Sequence, residues 1–222
     1  MAQIIRNLEK EFEQLQSIMT SSQFRESTAT SGELPIYIYD YPAEEQVDAD
    51  QRIGLLIDKL EDSVPESGEK PIRICHVNLY DLAMNIIEQR GLLDRVLDYE
   101  KTNHTVMSAN SHEDKFLKML DNFLGADGKI LPEALQKEFD SQRESRDATM
   151  LFISGVGAVY PYIRVHTLLE TMQGRFGDCP VVLFYPGTYT TSSTSGSTMR
   201  LYGLLAADNY YRAVNLRDMM KD

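Results

Sequence analysis

The sequence has few cysteines, no long apolar run and a shortage of basic residues. Its two cysteines, Cys75 and Cys179, lie in apolar stretches without metal-type spacing, so they are interpreted as buried free thiols in a reducing compartment. No stretch approaches the roughly 18 apolar residues of a membrane span, and the charged N-terminus lacks the apolar block of a signal peptide. These absences predict a cytoplasmic protein without a membrane partner.

The charge of the chain is strongly acidic and unevenly distributed. There are 22 Lys and Arg residues against 34 Asp and Glu, a net charge of −12, so repulsion by phosphates makes a direct role on DNA improbable and an indirect one the expectation. Residues 1–150 hold 16 basic and 29 acidic side chains, whereas residues 151–222 hold 6 and 5. This near-neutral segment with Tyr and Arg is either the core half of the fold or a contact surface.

Hydrophobic periodicity predicts an α/β protein. The chain has 222 residues, 42% of them hydrophobic, which is enough for one substantial core. Apolar runs that favour strands alternate with helical patterns, so the prediction is a single mostly parallel sheet of five to six strands with helices on both faces. The predicted strands are residues 36–40, 72–77, 149–154, 181–185, 199–203 and 210–216.

Four further segments are predicted besides the strands and helices of this sheet. Apolar residues recur at helical spacing near the N-terminus, at Ile4, Leu8, Phe12, Leu15 and Met19. This amphipathic helix packs either beside the domain or on a partner, and a Ser/Thr-rich linker at residues 20–35 follows it. The division is therefore residues 1–33 as helix and linker, and residues 34–222 as one α/β domain with a helical insert at about 104–146. Residues 186–198 are predicted to be a mobile surface loop because their apolar content is low.

The stretch "LFISGVGAVYPYIRVHTLL" at residues 151–169 suggests a strand, a glycine turn and a helix, which is a frequent place for a phosphate. A phosphate loop is absent, since the pair Gly128-Lys129 continues with Ile130 in place of a hydroxyl residue. The dinucleotide fingerprint is incomplete, because Gly155 and Gly157 are present but Tyr160 stands at the third position. Two readings remain.

In the first reading, Gly155 and Gly157 only allow a tight turn before a helix that starts at Pro161 and continues to about residue 173. In the second reading, the free N–H groups of that helix bind an anion, with Arg164 and His166 nearby. Such a site would bind a nucleotide without hydrolysing it, because the phosphate-loop lysine and the magnesium ligand are both missing.

Catalytic and metal-binding patterns are also missing. The four histidines have no ligand spacing with another His or Cys, so no metal or cofactor is expected. His76 lies at the end of a predicted strand and near Asp81, where it is either a structural histidine or a catalytic one. Ser154, in "ISGVG", does not fit the GxSxG turn of a serine nucleophile. The chain is therefore not expected to be an enzyme.

Several sequence blocks resemble one family. They are "LPIYIYDYPAEE", "VNLYDLAMNIIEQRGLLD", "LFISGVGAVYPYIRVHTLLETMQ", "CPVVLFYPGTY", "MRLYGLL" and "DNYYRAVNL". In order and wording, over about residues 34–216, they resemble the BrxB family, a small component of bacterial BREX phage-defence systems that was formerly a domain of unknown function. The chain departs from the family mainly in the Ser/Thr-rich segment between "YPG" and "RLYG", which is longer than usual.

The resemblance implies a role in defence rather than a reaction. BREX systems involve a methyltransferase, a large ATPase and PglZ, a protein of the alkaline-phosphatase superfamily, and the family carries no established catalytic motif. A non-catalytic adaptor is the natural implication, with the PglZ-like protein as the expected partner and the ATPase or methyltransferase as others. Candidate partner-binding residues are Tyr160, Arg164, His166, Arg200, Tyr210, Tyr211 and Arg212. The alternative is a degenerate nucleotide-binding subunit that uses Gly155, Gly157 and Arg164.

Overall fold

A computed structural model describes residues 6–25, 36–65, 69–103, 115–124, 129–172, 175–176, 179–192, 196–202, 208–209 and 213–220. The predicted class is confirmed, because the chain forms an α/β fold around one mostly parallel sheet. The strands are β1 Ile36–Tyr41, β2 Ile74–Asn78, β3 Met150–Ser154, β4 Val181–Ser192, β5 Gly196–Leu201, β6 Asp208–Asn209 and β7 Ala213–Asn215.

Helices cover both faces of this sheet. They are α1 Leu8–Thr20, α2 Ser22–Arg25, α3 Gln46–Glu61, α4 Leu79–Gln89, α5 Leu93–Asn103, α6 Lys115–Leu124, α7 Ile130–Arg146 and α8 Val165–Thr171. Short 3₁₀ helices lie at Ala43–Glu45, Gly157–Val159 and Leu216–Met219. Helices α6 and α7 fall inside the predicted insert at about 104–146.

Five strands run parallel in the order β2-β3-β4-β1-β7. The connections pass over the sheet faces because parallel neighbours cannot be joined by a tight turn. The first half of β4 pairs with β1 from Ile36 opposite Val181 to Tyr41 opposite Pro186. Its second half leaves the parallel sheet and pairs antiparallel with β5, which in turn pairs with β6. All five parallel strands therefore end at one edge, which we call the carboxyl edge.

Alternate residues of the strands enter two separate cores, as the two-residue period of a strand requires. Ile38, Ile153 and Leu183 face the first core, beneath α4, α6, α7 and α8. Tyr39 and Phe184 face the second core, beneath α1, α2 and α3. The near-continuous apolar runs of the strands therefore reflect burial on both faces.

The N-terminal segment packs on the second core. Phe12 of α1 lies edge-on to Tyr39 with ring centroids 5.4 Å apart, so the helix takes the first of its two predicted arrangements. The linker prediction is wrong for residues 22–25, which form α2. The ring of Phe24 is buried, with its centroid 4.4 Å from that of Tyr37, and Arg25 forms an ion pair with Glu69. Burial of one aromatic ring thus orders a Ser-rich segment; residues 26–35 lie outside the described part.

The prediction of a loop at residues 186–198 is wrong for every described residue of that segment. Residues 186–192 continue β4 and residues 196–198 begin β5, in the register Gly187 opposite Leu201 to Ser192 opposite Gly196. Low apolar content was a misleading signal here. Threonine favours strands, and burial of Tyr189 and Met199 is enough to fix the hairpin to the core.

The predicted start of the last helix is also wrong. Helix α8 begins at Val165, not at Pro161, and Arg164 before it has extended backbone angles, φ −90° and ψ 115°. The reason is burial of both Ile163 and Val165. Two buried residues separated by one exposed residue favour an extended backbone at Arg164, so the helix starts only at the second of them, Val165.

Candidate functional site

The glycine turn after β3 is filled by side chains of the chain itself. Gly155 has φ +74°, and a Cβ added there would overlap Oδ1 of Asn78, the residue that caps α4. A Cβ on Gly157 would overlap the hydroxyl of Tyr202 and lie 3.0 Å from Oε1 of Gln46. Both glycines are therefore required for internal close packing, and the approach that a phosphate would need is occupied.

The second part of the suggested anion site is displaced as well. Because α8 starts at Val165, its first N–H groups do not follow the turn at Gly155 and Gly157 directly. Arg164 is exposed at the start of α8, and His166 is half-buried in its first turn. The glycines and the helix start are thus separate features of the fold.

The partner-binding candidates occupy two places. Tyr160, which is 38% exposed, and Arg164 share the connection between β3 and α8, whereas exposed Arg200 lies on β5 opposite Thr188. Within the described residues no hydrogen bond or ion pair joins Arg200 to the other two. Tyr210, Tyr211 and Arg212 lie outside the described residues.

Exposed apolar and aromatic side chains gather at the carboxyl edge. Val47 follows β1 and is 74% exposed, Tyr80 follows β2 and is 44% exposed, and Tyr160 follows β3. Half-buried Tyr162 and Tyr202 complete this group, which we call the carboxyl-edge surface. Parallel strands deliver their following residues to the same edge, where α/β proteins generally place their binding sites.

Contacts link part of the carboxyl-edge surface. Tyr202 and Gln46, the neighbour of Val47, both meet Gly157. Burial and the nearby Tyr80 raise the pKa of Tyr162, whose hydroxyl donates to the Ala158 carbonyl at 3.3 Å. Sequence reasoning missed Val47 and Tyr80. The available signal was their position in the first helical turn after a buried strand.

His76 and Ser154 meet on neighbouring strands, with Nε2 and Oγ 2.8 Å apart. Desolvation lowers the pKa of His76, against a smaller raising effect of Asp81. Ser154 is only 2% exposed, so a substrate cannot reach its hydroxyl in this conformation, and the described residues give His76 no hydrogen-bonded carboxylate. The pair links β2 to β3 and lacks the accessible nucleophile and oriented base of a hydrolase.

A buried carboxylate organises the other side of the carboxyl edge. Asp40 accepts hydrogen bonds from the Tyr189 backbone N–H at 2.8 Å and from Nε and Nη2 of Arg217 at 2.5 and 3.0 Å. Asn215 donates to the Tyr189 carbonyl at 2.9 Å. This network holds the second half of β4 against β7 and was not anticipated from the sequence, where Asp40 is one polar residue in an aromatic strand.

The described part of the chain includes two buried cysteines. Cys75 and Cys179 are buried free thiols, and burial raises the pKa of each to about 12. Among the described residues no group of three or more His, Cys, Asp or Glu side chains could hold a metal ion. No helix in the same part of the chain has the length and apolar character needed to cross a membrane.

Comparison with known proteins matches the chain to one family. The family described as "BREX protein BrxB" matches residues 75–216. A BREX protein BrxB of Bacillus cereus (strain H3081.97) is 26% identical over 214 residues, covering 96% of this chain and 100% of the relative. A BREX protein BrxB of Escherichia coli O9:H4 (strain HS) is 25% identical over 209 residues, covering 94% of this chain and 91% of that protein.

No solved structure matches the chain significantly. The family match spans more than half of the sequence and includes most of β2, all of β3 and β4, and the glycine turn that follows β3. On this basis the chain belongs to the BrxB family and is a component of a BREX system.

Proposed function

We propose that this protein is a non-catalytic adaptor of a phage-defence system, and that it binds a larger BREX protein, such as the PglZ-like protein, through its carboxyl-edge surface. The observation that carries the proposal is the exposure of Val47, Tyr80 and Tyr160 at the edge where the parallel strands end. An enzyme of this class would place its reactive groups there. Here the hydroxyl–imidazole pair of Ser154 and His76 has a buried serine.

The chemistry of the surface suits a protein partner. Tyrosine buries a large area at low cost in side-chain entropy and keeps a polar end for a hydrogen bond. Arg164 is exposed on the same connection as Tyr160 and supplies a cation to this surface. A partner that covers these groups gains most of its binding energy from a few residues, about 1–4 kcal/mol for each true hot spot.

Co-purification tests the proposal directly. The full-length chain is expressed with the other proteins of its BREX system, and complexes are isolated through a tag on this chain. The double variant Tyr80→Ala, Tyr160→Ala should bind its partner at least tenfold more weakly, because about 1.4 kcal/mol corresponds to a factor of ten. Circular dichroism verifies that the variant is folded.

Leu97→Ala is the matched control, since Leu97 is 41% exposed on α5, outside the carboxyl-edge surface. This variant should bind its partner with the same affinity as the parent chain. The proposal is rejected if the double variant and Arg164→Ala both retain every complex at parental affinity.

A further inference from the structure

The outer edge of β2 forms the floor of a groove. β2 is the terminal strand of the parallel order, and within the described residues β3 is its only partner. A groove of about 440 Å³ runs beside it, with Gly54, Ile57 and Asp58 of α3 on one wall and Gln142 and Arg146 of α7 on the other. With a rise of about 1.5 Å per residue, α3 and α7 are each longer than the five-residue strand β2. The edge of β2 is therefore recessed between the two helices.

The backbone groups on this floor are only partly satisfied. The Arg73 carbonyl accepts from the Thr149 N–H of the neighbouring segment at 2.8 Å, so the alternation along β2 turns Ile74 and His76 outward. The Ile74 N–H donates to Glu61 Oε1 at 2.9 Å, which protects the first edge donor. The His76 N–H and C=O face the groove beyond that point, without a described partner.

Two features of the walls would suit an occupant of the groove. A Cβ on Gly54 would meet nothing within 4 Å, so internal packing does not require glycine in the middle of α3, where it is unfavourable. Oε1 of Gln142 is buried without a hydrogen-bond partner among the described residues, although its Nε2 donates to Glu138. A chain in the groove would fill the space at Gly54 and could donate to Gln142.

The charge of the groove walls indicates which side chains a bound segment would carry. Glu61 and Arg146 neutralise each other, with Arg146 Nη2 at 3.0 and 2.9 Å from the two carboxylate oxygens. Asp58 is exposed and forms no described ion pair, which leaves the groove with one uncompensated negative charge. A basic side chain in the occupant would complement it.

From these contacts we infer that β2 binds an extended segment of another protein by strand addition, and that this segment pairs with His76, places a small apolar residue on Gly54 and a basic residue beside Asp58. Strand addition uses free backbone groups for affinity and side-chain pockets for specificity. The recessed edge admits a single extended chain. The same edge of a second copy would bring its own flanking helices and would collide with α3 and α7.

A random nonapeptide library displayed on phage is the probe, and the full-length chain is the target. Selected peptides should alternate small apolar and basic residues and should bind reversibly. Gly54→Leu, which fills the groove, should weaken them at least tenfold, and Asp58→Lys should also weaken them. Gln89→Leu is the matched control, because it adds the same side chain to an exposed position on α4, outside the groove.

Amide hydrogen exchange supplies an independent measurement. In the isolated chain the His76 amide should exchange at least tenfold faster than that of Val77, which faces β3, and peptide binding should slow the His76 amide at least tenfold. The inference is overturned if no peptide is selected, if Gly54→Leu leaves binding unchanged, or if His76 is already protected in the isolated chain or in a dimer of it.

Discussion

At the scale of single residues, Gly155 and Gly54 occupy opposite environments. Gly155 combines a left-handed backbone, φ +74°, with direct contact to the amide of Asn78, whereas Gly54 lies in a regular helix beside open space. The same substitution should therefore have opposite effects at the two positions.

We predict that Gly155→Ala lowers the free energy of unfolding by about 1–3 kcal/mol, because alanine at positive φ is strained and its Cβ displaces the Asn78 cap. Gly54→Ala should raise that free energy by about 0.5–1 kcal/mol through helix propensity. Urea unfolding of both variants measures the two changes. Equal stability of Gly155→Ala and the parent chain would contradict the close packing described for this turn.

At the scale of elements, α1 is held on the sheet through Glu11, which pairs with Arg6 and accepts a hydrogen bond from Tyr39 of β1. Arg6 donates from Nε and Nη2 to the two carboxylate oxygens of Glu11 at 3.0 and 2.5 Å, and the buried Tyr39 hydroxyl donates to Glu11 at 2.8 Å. Burial alone would raise the pKa of Glu11, but these hydrogen bonds and the charges of Arg6 and Arg217 outweigh it and lower the pKa.

The sign of the resulting pH dependence follows from this lowering. Since protonated Glu11 is less favourable in the folded than in the unfolded chain, its stabilisation is complete above the ordinary pKa of 4.5 and is lost as the pH falls through the lower folded pKa. Glu11→Gln should reduce the stability lost between pH 5 and about pH 3. Urea titrations across this range measure it, with Glu9→Gln on the same helix as control. An unchanged acid dependence would show that Glu11 does not hold α1.

The hairpin of β4 and β5 depends on one buried hydroxyl. Tyr189 donates to the Ala213 carbonyl at 2.9 Å and accepts from the Ala213 N–H at 3.3 Å. Tyr189→Phe leaves both groups unpaired and should cost about 1–3 kcal/mol, with faster amide exchange over residues 188–192 and 196–201. Tyr160→Phe removes an exposed hydroxyl and should leave stability and exchange unchanged. If the two variants behave alike, the network does not stabilise the hairpin.

At the scale of the whole molecule, a ligand that binds the folded chain increases its stability against unfolding. A nucleotide present at a concentration of 100 times its dissociation constant would add about 2.7 kcal/mol to the free energy of unfolding and raise the melting temperature. Because Asn78 and Tyr202 fill the glycine turn, we expect ATP, GTP and dinucleotides to leave the melting temperature unchanged. A saturable rise that Gly157→Ala abolishes would support the nucleotide-binding alternative instead.

The cores were predictable from local patterns, whereas most of the candidate site was not. Leu8, Phe12, Leu15 and Met19 show their helical period in the sequence, and all four are buried. Residue type alone predicted Tyr160 and Arg164 as partner-binding residues, and both lie on the surface. Val47 and Tyr80 became visible as partners of that surface only when parallel strands placed separate chain segments at one edge.

The sequence by itself determined the α/β class, the buried strands and the family, because hydrophobic periodicity and ordered motif blocks are local properties. The tertiary structure alone decided where polar groups meet. Asp40 forms a hydrogen bond with Tyr189, which is 149 residues later in the chain, and His76 forms one with Ser154, which is 78 residues later. Side chains so far apart in sequence have no common period, so only the packed sheet brings them within hydrogen-bond distance.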